Sequence, residues 1–254
     1  MVTLLITHYN RSKSLERLLS AFKTLSISFG DIIVSDDSSK QEHLNIIKQL
    51  QTQYDFKLVT APTNKGLGNN LNKGQDAVAT PYTLYVQEDF VPTQQFLPSF
   101  KDAYSFMDED KGIDIARFYA YYAYPYLKPY TNAFAEIIYK PWFTDTSKIY
   151  GYSDHPHLRR SSFLEKFGRY KEGIKSDRTE YLMCISFIQN KGKALFYNEF
   201  NDLFTQENTS DEPSTVIRAD WRQSNNLLVG VIRTMFRQVK YNFDIHFGKR
   251  IKHS

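Results

Sequence analysis

Four short apolar runs in the first 90 residues each stop at a polar loop, with helical-period segments between them. This alternation constrains the fold more than any other feature of the chain. Residues 2–6 read as a buried strand that closes on Thr7, His8, Tyr9 and Asn10. Ser14 then precedes Leu15, Leu18, Leu19 and Phe22 at helical spacing. Residues 32–34 form a second run, ended by Ser35, Asp36, Asp37, Ser38 and Ser39, and Leu44, Ile46, Ile47 and Leu50 mark the next helix. Residues 56–59 form a third, followed by a glycine- and asparagine-rich loop over 64–74 that leads into a short helix. The fourth run ends in Glu88 and Asp89, just before Phe90, Val91 and Pro92. Such alternation predicts an α/β chain with a largely parallel sheet, whose loops share the carboxyl edge where open sheets bind ligands.

After Pro92 the pattern loosens. A helix is expected over 96–107, an apolar run over 113–119, short helices over 162–167 and 180–190, and a strand over Ala194–Tyr197. The aromatic, proline-punctuated stretch 119–142 has no assignment, and 206–214 reads as a polar loop. From 214 onward the charge shifts. Eight basic residues (Arg218, Arg222, Arg233, Arg237, Lys240, Lys249, Arg250, Lys252) face only two acids, Asp220 and Asp244. Leu228, Val231, Ile232, Met235, Phe236 and Val239 make a helical stripe beside them. The expected organisation is therefore a domain over 1–213 and a basic amphipathic helical extension over 214–254. A helix of this kind either lies on an anionic membrane or packs with its basic face in water.

The net charge of +4 over 254 residues is too mild for a nucleic-acid footprint, so no nucleic-acid partner is expected. A lone cysteine, Cys184, allows no internal disulfide and fits a reducing compartment. The N-terminus lacks a basic lead and a long apolar core, and no run approaches a membrane span. The expected location is cytoplasmic, with peripheral contact at the inner face of the plasma membrane through the tail.

The four loops together offer what a nucleotide diphosphate needs. Tyr9 presents a flat ring for a base, and Asp36 or Asp37 can accept from a pyrimidine N–H or ribose hydroxyls. Gly66, Gly68 and Gly74 permit close backbone approach. Glu88 and Asp89 are oxygen ligands for Mg²⁺ or Mn²⁺. Each feature also has an ordinary reading: Tyr9 as packing, the acids as turn or cap residues, the glycines as loop.

In order and position, these motifs resemble the family 2 glycosyltransferases, which have the GT-A fold: three layers, α/β/α, around a mostly parallel mixed sheet. Thr7-His-Tyr-Asn-Arg-Ser resembles their T-x-Y-N-[RK]-S motif, and Asp36-Asp37-Ser38-Ser39 resembles D-D-x-S. Asn64, Gly66, Asn72 and Gly74 keep the spacing of a third motif. The resemblance implies that Thr7, Tyr9 and Asp37 contact the nucleobase and that Asp36 lies near the ribose. Asn10, Arg11, Asn64, Gly66 and Asn72 complete the nucleotide set. Asp89 is implied as main metal ligand with Glu88 beside it, the ion being Mn²⁺ or Mg²⁺. Departures are Asn70-Leu71 where the family often has Ala-Arg, Gln87 at the head of the acidic motif, and Gln206 where relatives often place a histidine.

An inverting transfer needs a base for the acceptor hydroxyl. The family draws it from an acid at the start of a late helix, which implies Glu180, with Asp177 in reserve. Ser176, Asp177 and Glu180 equally spell a capping box. Asp154, His155, Arg159 and Arg160 are read as the acceptor side, with an arginine facing a phosphate. The expected reaction moves a hexose or amino-hexose from a nucleotide diphosphate, UDP foremost, to a glycan or lipid-linked glycan hydroxyl. The competing classes are a sugar-1-phosphate nucleotidyltransferase and a non-catalytic membrane or nucleic-acid module. The absence of glycine from 7–12 counts against the former.

Overall fold

The computed structural model describes residues 1–209, 212, 227–249 and 251, and every count below refers to these. The first half runs β1 (Val2–His8), α1 (Ser12–Thr24), β2 (Asp31–Asp36), α2 (Gln41–Tyr54), β3 (Lys57–Thr60), α3 (Leu67–Asp76) and β4 (Tyr82–Gln87). β1 lies between β2 and β4, with β3 outside β2, all parallel. Every residue of β1 is buried, because helices cover both faces of the sheet. Leu4 and Ile6 pack with Leu15, Leu18 and Ile47 of α1 and α2. Leu5 points the other way, to Leu71 of α3 and to Phe163, Met183 and Phe187. Each such aliphatic side chain contributes roughly 1.5–3 kcal/mol when fully buried.

The second half adds β5 (Phe90–Pro92), α4 (Phe96–Glu109), β6 (Ile115–Arg117), β7 (Leu127–Pro129), β8 (Phe134–Ile137) and a 3₁₀ turn (Thr146–Ile149). It continues with β9 (His157–Arg160), α5 (Phe163–Phe167), α6 (Ser176–Gln189), β10 (Ala194–Tyr197), β11 (Phe204–Gln206) and α7 (Leu227–Phe247). The nine-stranded sheet has the order β3-β2-β1-β4-β9-β6-β10-β8-β7, and β11 pairs with β5 apart from it. Only β9 and β8 run against the others, so the sheet is mixed but mostly parallel in direction, as expected.

Three local expectations change. The unassigned aromatic stretch holds the β7–β8 hairpin. α6 starts at Ser176, four residues before the expected start. Gly68 and Gly74 lie inside α3 rather than in a loop. A Cβ on Gly74 would stand 2.7 Å from Leu5 Cδ1 and 2.9 Å from Ser35 Cβ, so this glycine lets α3 close onto the sheet. A Cβ on Gly68 would stand 2.4 Å from the Lys171 carbonyl oxygen. Their close approach is to protein, not to ligand.

The C-terminal helix is present. α7 packs on α6 and the 3₁₀ turn, where Ile245 meets Ile149 and Ile185. Gln189 Nε2 donates to the carbonyls of Asp244, Ile245 and Gly248. The side chains of Leu228 and Val231, the 213/214 boundary, and Arg218, Asp220, Arg222, Arg250 and Lys252 lie outside the described residues. Among those described, no helix is long and apolar enough to cross a membrane.

Candidate active site

Strand register places the four expected loops on one rim. Thr7 pairs with both Ser35 and Gln87, His8 with Asp36, and Asp36 with Thr60, so β1 to β4 end level. Local bonds then shape each loop. Asp36 accepts from His8 Nδ1 at 2.8 Å and from the Ser39 amide at 2.9 Å. Burial works to raise its pKa, but these bonds prevail and hold the carboxyl below the usual range. Asp37 accepts from the amides of Lys65 at 2.9 Å and Gly66 at 2.8 Å, which closes the β2 loop onto the start of α3. Gly66 sits at φ +82°, a conformation glycine adopts freely. Asn10, at φ 53°, donates its amide to Ser39 Oγ and accepts from the Lys40 amide, each at 2.8 Å. Tyr9 is half-exposed on this rim and Asn64 is exposed.

Thr7 and Asn72 face inward. Thr7 Oγ1 lies 3.0 Å from the Tyr85 hydroxyl. Asn72 is buried, donating to the Tyr170 carbonyl at 2.9 Å and Glu172 Oε1 at 2.8 Å while accepting from the Tyr170 amide at 3.0 Å. Its capacity is spent tying α3 to that segment. Where the family often has Ala-Arg this chain has Asn70-Leu71, and a cation stands on the same helix at Lys73. Lys73 Nζ donates to Ser35 Oγ and Asn70 Oδ1. Burial pulls its pKa down to about 8, opposed by Asp37 and Asp36. A lysine between the motif residues Asn72 and Gly74 was the available signal.

The acidic motif is enclosed. Arg11 Nη1 lies 3.2 Å from Asp89 Oδ2 and 3.9 Å from Glu88 Oε1. Its Nη2 donates to Asn208 Oδ1 at 2.8 Å and to the Glu212 carbonyl at 3.1 Å. Gln206 Nε2 donates to Asp89 Oδ2 at 2.8 Å, and Gln206 Oε1 accepts from the Tyr121 hydroxyl at 2.7 Å. Glu212 accepts from the amides of Lys13 and Ser14 at 2.9 and 2.8 Å, serving as a remote cap where α1 has none of its own. Sequence reading missed Glu212, since the contact spans 198 residues. Burial, then repulsion from Asp89, pushes the Glu88 carboxyl up to about 8, against the pull of Arg11.

Among the described residues Asp89 Oδ1 has no hydrogen-bond partner, a buried open acceptor beside the Glu88 carboxyl, whose proton a bound cation would displace. Among the described residues no three His, Cys, Asp or Glu side chains cluster as a closed metal cage. Mg²⁺ and Mn²⁺ at phosphate-transfer sites take one or two carboxylates and complete their shell with phosphate and water. The two acids fit that pattern.

A second carboxyl centre adjoins the first. Glu180 Oε1 accepts from Ser153 Oγ at 3.0 Å and from the Asp154 amide at 3.3 Å. Gln87 Nε2, at the tip of β4, donates to the Asp154 carbonyl at 3.2 Å. Burial, with charge and a hydrogen bond from Glu180, raises the Asp154 pKa well above the carboxylate range. The residue before α6 is Lys175, whose side chain does not cap the helix, and Glu180 lies beyond the first turn and faces the 153–154 loop, so Ser176, Asp177 and Glu180 do not form the capping box. Asp177 is exposed in the first turn of α6.

The expected acceptor side divides. His155 stands among the rings of Tyr119, Tyr121 and Phe90, with centroids 5.4, 4.6 and 5.8 Å away. Burial lowers its pKa to about 3, so the ring is neutral. Arg159 and Arg160 correct the reading, because they lie on β9 with their donors already taken. Arg159, fully buried, donates to Gln75 Oε1 and to the Tyr170 hydroxyl. Arg160 pairs with Tyr82 at the start of β4, the opposite end of that strand from the rim, and donates to the carbonyls of Ile113, Met107 and Asp110.

This geometry has a counterpart among known proteins. The model of the family described as Glycosyl transferase family 2 matches residues 3–168. The chain belongs to glycosyltransferase family 2. Among curated relatives, the poly-beta-1,6-N-acetyl-D-glucosamine synthase of Staphylococcus epidermidis is 29% identical over 90 residues, 35% of this chain and 22% of its own length. The family 2 chain thus spans about a fifth of that relative. Among solved structures, S. aureus TarS 1–349 in complex with UDP-GlcNAc superposes with a TM-score of 0.62 at 16% identity, covering 96% of this chain and 72% of that one. The mannosyltransferase PcManGT of Pyrobaculum calidifontis, in complex with GDP-Man and Mn²⁺, gives 0.55 at 12% identity, with 76% and 53% covered. At these identities the likeness is one of fold, and it agrees with the GT-A-like architecture.

Proposed function

We propose that this family 2 chain is an inverting glycosyltransferase. It moves a hexose or amino-hexose from a UDP-sugar to a hydroxyl of a glycan or lipid-linked glycan in the cytoplasm. The observation that carries the reading is the contact, through Gln87 and the Asp154 carbonyl, between a diphosphate-type rim and a carboxyl pair suited to proton abstraction. Tyr9 and Asp37 take the base, Asp36 the ribose, and Lys73 a phosphate.

Burial, then the charge and hydrogen bond of Glu180, push the Asp154 carboxyl well above its ordinary pKa, so Asp154 is the member of the pair that favours its proton, and Glu180, which accepts from Ser153 Oγ and the Asp154 amide, is the base. Glu180 takes the acceptor's hydroxyl proton, and the oxygen attacks the anomeric carbon from the face opposite the leaving group. The bond from that carbon to the diphosphate oxygen breaks, and UDP departs with the electron pair. Lys73 and Arg11 oppose the charge that develops on it. Asp89, with Glu88, would hold the divalent cation, which supplies further neutralisation of the diphosphate when bound.

The test is nucleotide release from a panel of sugar nucleotides with and without Mn²⁺. UDP-sugar turnover is expected, with Asp89→Ala slower by ~10³-fold or more. Undiminished turnover by Asp89→Ala in EDTA would overturn the metal assignment, and no turnover of any donor the reaction itself.

A further inference from the structure

The outer face of α7 belongs to no part of this chemistry. Ile232, Met235, Phe236, Val239, Phe243 and Phe247 recur at helical spacing, and each is 59% to 76% exposed. The inner face is firmly held: Tyr181 donates its hydroxyl to Asp244, and Ile245 is buried. The stripe is therefore displayed by a docked helix rather than left by a detached one. A contiguous apolar surface of this size on a water-soluble face marks an interaction site.

Charge identifies the occupant. Arg237 is exposed on one flank of the stripe, the flank it shares with Lys240, which is paired with Asp244, and with Arg233, which is engaged within the chain. Beside Gln238, whose amide donates to the Phe143 carbonyl at 3.3 Å, stands Trp142, 72% exposed, with Lys140 Nζ 5.5 Å from its ring centre. Tryptophan next to lysine suits the boundary between lipid headgroups and acyl chains. Anionic headgroups would neutralise this cationic flank while the stripe enters the acyl boundary.

We infer that α7 docks this protein onto an anionic lipid surface, with Met235, Phe236, Val239 and Phe243 inserted and Arg237 at the headgroups. The inference is independent of the reaction proposed above.

It is tested by sedimenting the full chain with phosphatidylcholine vesicles that do or do not contain phosphatidylglycerol. Binding is expected to the anionic vesicles and to weaken as salt rises. The double variant Phe236→Ser/Phe243→Ser should lose at least ~10-fold in partition, and Arg237→Gln roughly 5-fold on anionic vesicles alone. Both should keep the parent melting temperature and UDP release, since these side chains are exposed. Failure to sediment with anionic vesicles, or sedimentation that the double variant leaves unchanged, overturns the inference. So does a dimer that the double variant abolishes in a chain that binds no vesicle. Vesicle binding without UDP-sugar turnover would sink the reaction and leave the docking intact.

Discussion

The rim of β1 to β4 and the sheet from β9 onward handle polar side chains in opposite ways. On the rim, Asp36, Asp37 and Asn10 spend hydrogen bonds on neighbouring loop amides, and Tyr9 and Asn64 keep exposure. Beyond β4, polar groups as strong as Arg159 and Arg160 are consumed by the core: one by Gln75 and Tyr170, the other by three carbonyls. The lesson is that a charged residue signals function only where its donors and acceptors remain available. Loops after parallel strands keep them available, and a strand paired on both sides does not.

The largest effect expected from this contrast lies where the second half does reach the rim. Glu180→Gln should lower kcat by ~10²–10⁴-fold while UDP affinity, read by titration calorimetry, stays within two-fold of the parent by about. Asp177→Asn, exposed in the first turn, should change kcat by less than about two-fold. Equal losses in the two variants would return the helix start to a structural role.

Arg159→Leu sharpens the other side. It leaves Gln75 Oε1 and the Tyr170 hydroxyl without their buried donor, and should cost about 3 kcal/mol in chemical denaturation. Turnover per folded molecule should hold. A stable variant that has lost acceptor affinity would restore the arginine to the acceptor side.

A smaller effect, with a pH signature, belongs to Lys73. Its pKa near 8 keeps the cation below that pH and removes it above, so UDP affinity should fall as pH climbs through 8. Lys73→Met should weaken UDP binding by roughly 10-fold at pH 7 and flatten that decline. An unaltered pH profile in the variant would assign the decline to another group.

How far the sequence reached follows the same division. The α/β alternation was legible because β1, β2 and β4 are apolar runs buried on both faces, with polar loops after them. Asp36, Asp37, Glu88 and Asp89 were legible because they stand at strand ends. β9 was not, since His157-Leu-Arg-Arg160 looks polar until Tyr85, Phe163 and Tyr170 are seen to surround the Arg159 guanidinium. Lys73 was missed because it sits on a helix that the glycines made look like loop. Arg11 with Glu212, and Asp154 with Glu180, are contacts made by the fold, with no local spacing to announce them.

The central claim is that one nucleotide diphosphate touches all four rim loops. A crystal structure of the chain with UDP and Mn²⁺ tests it most directly. The account predicts the base against Tyr9 and Asp37, the ribose by Asp36, and the diphosphate between Lys73 and Asp89. A groove of about 730 Å³ lies elsewhere, lined by Lys13, Arg17 and Tyr54 beside Val91 and Pro92 of β5. UDP seated in that groove, with the rim left open to water, would contradict the account.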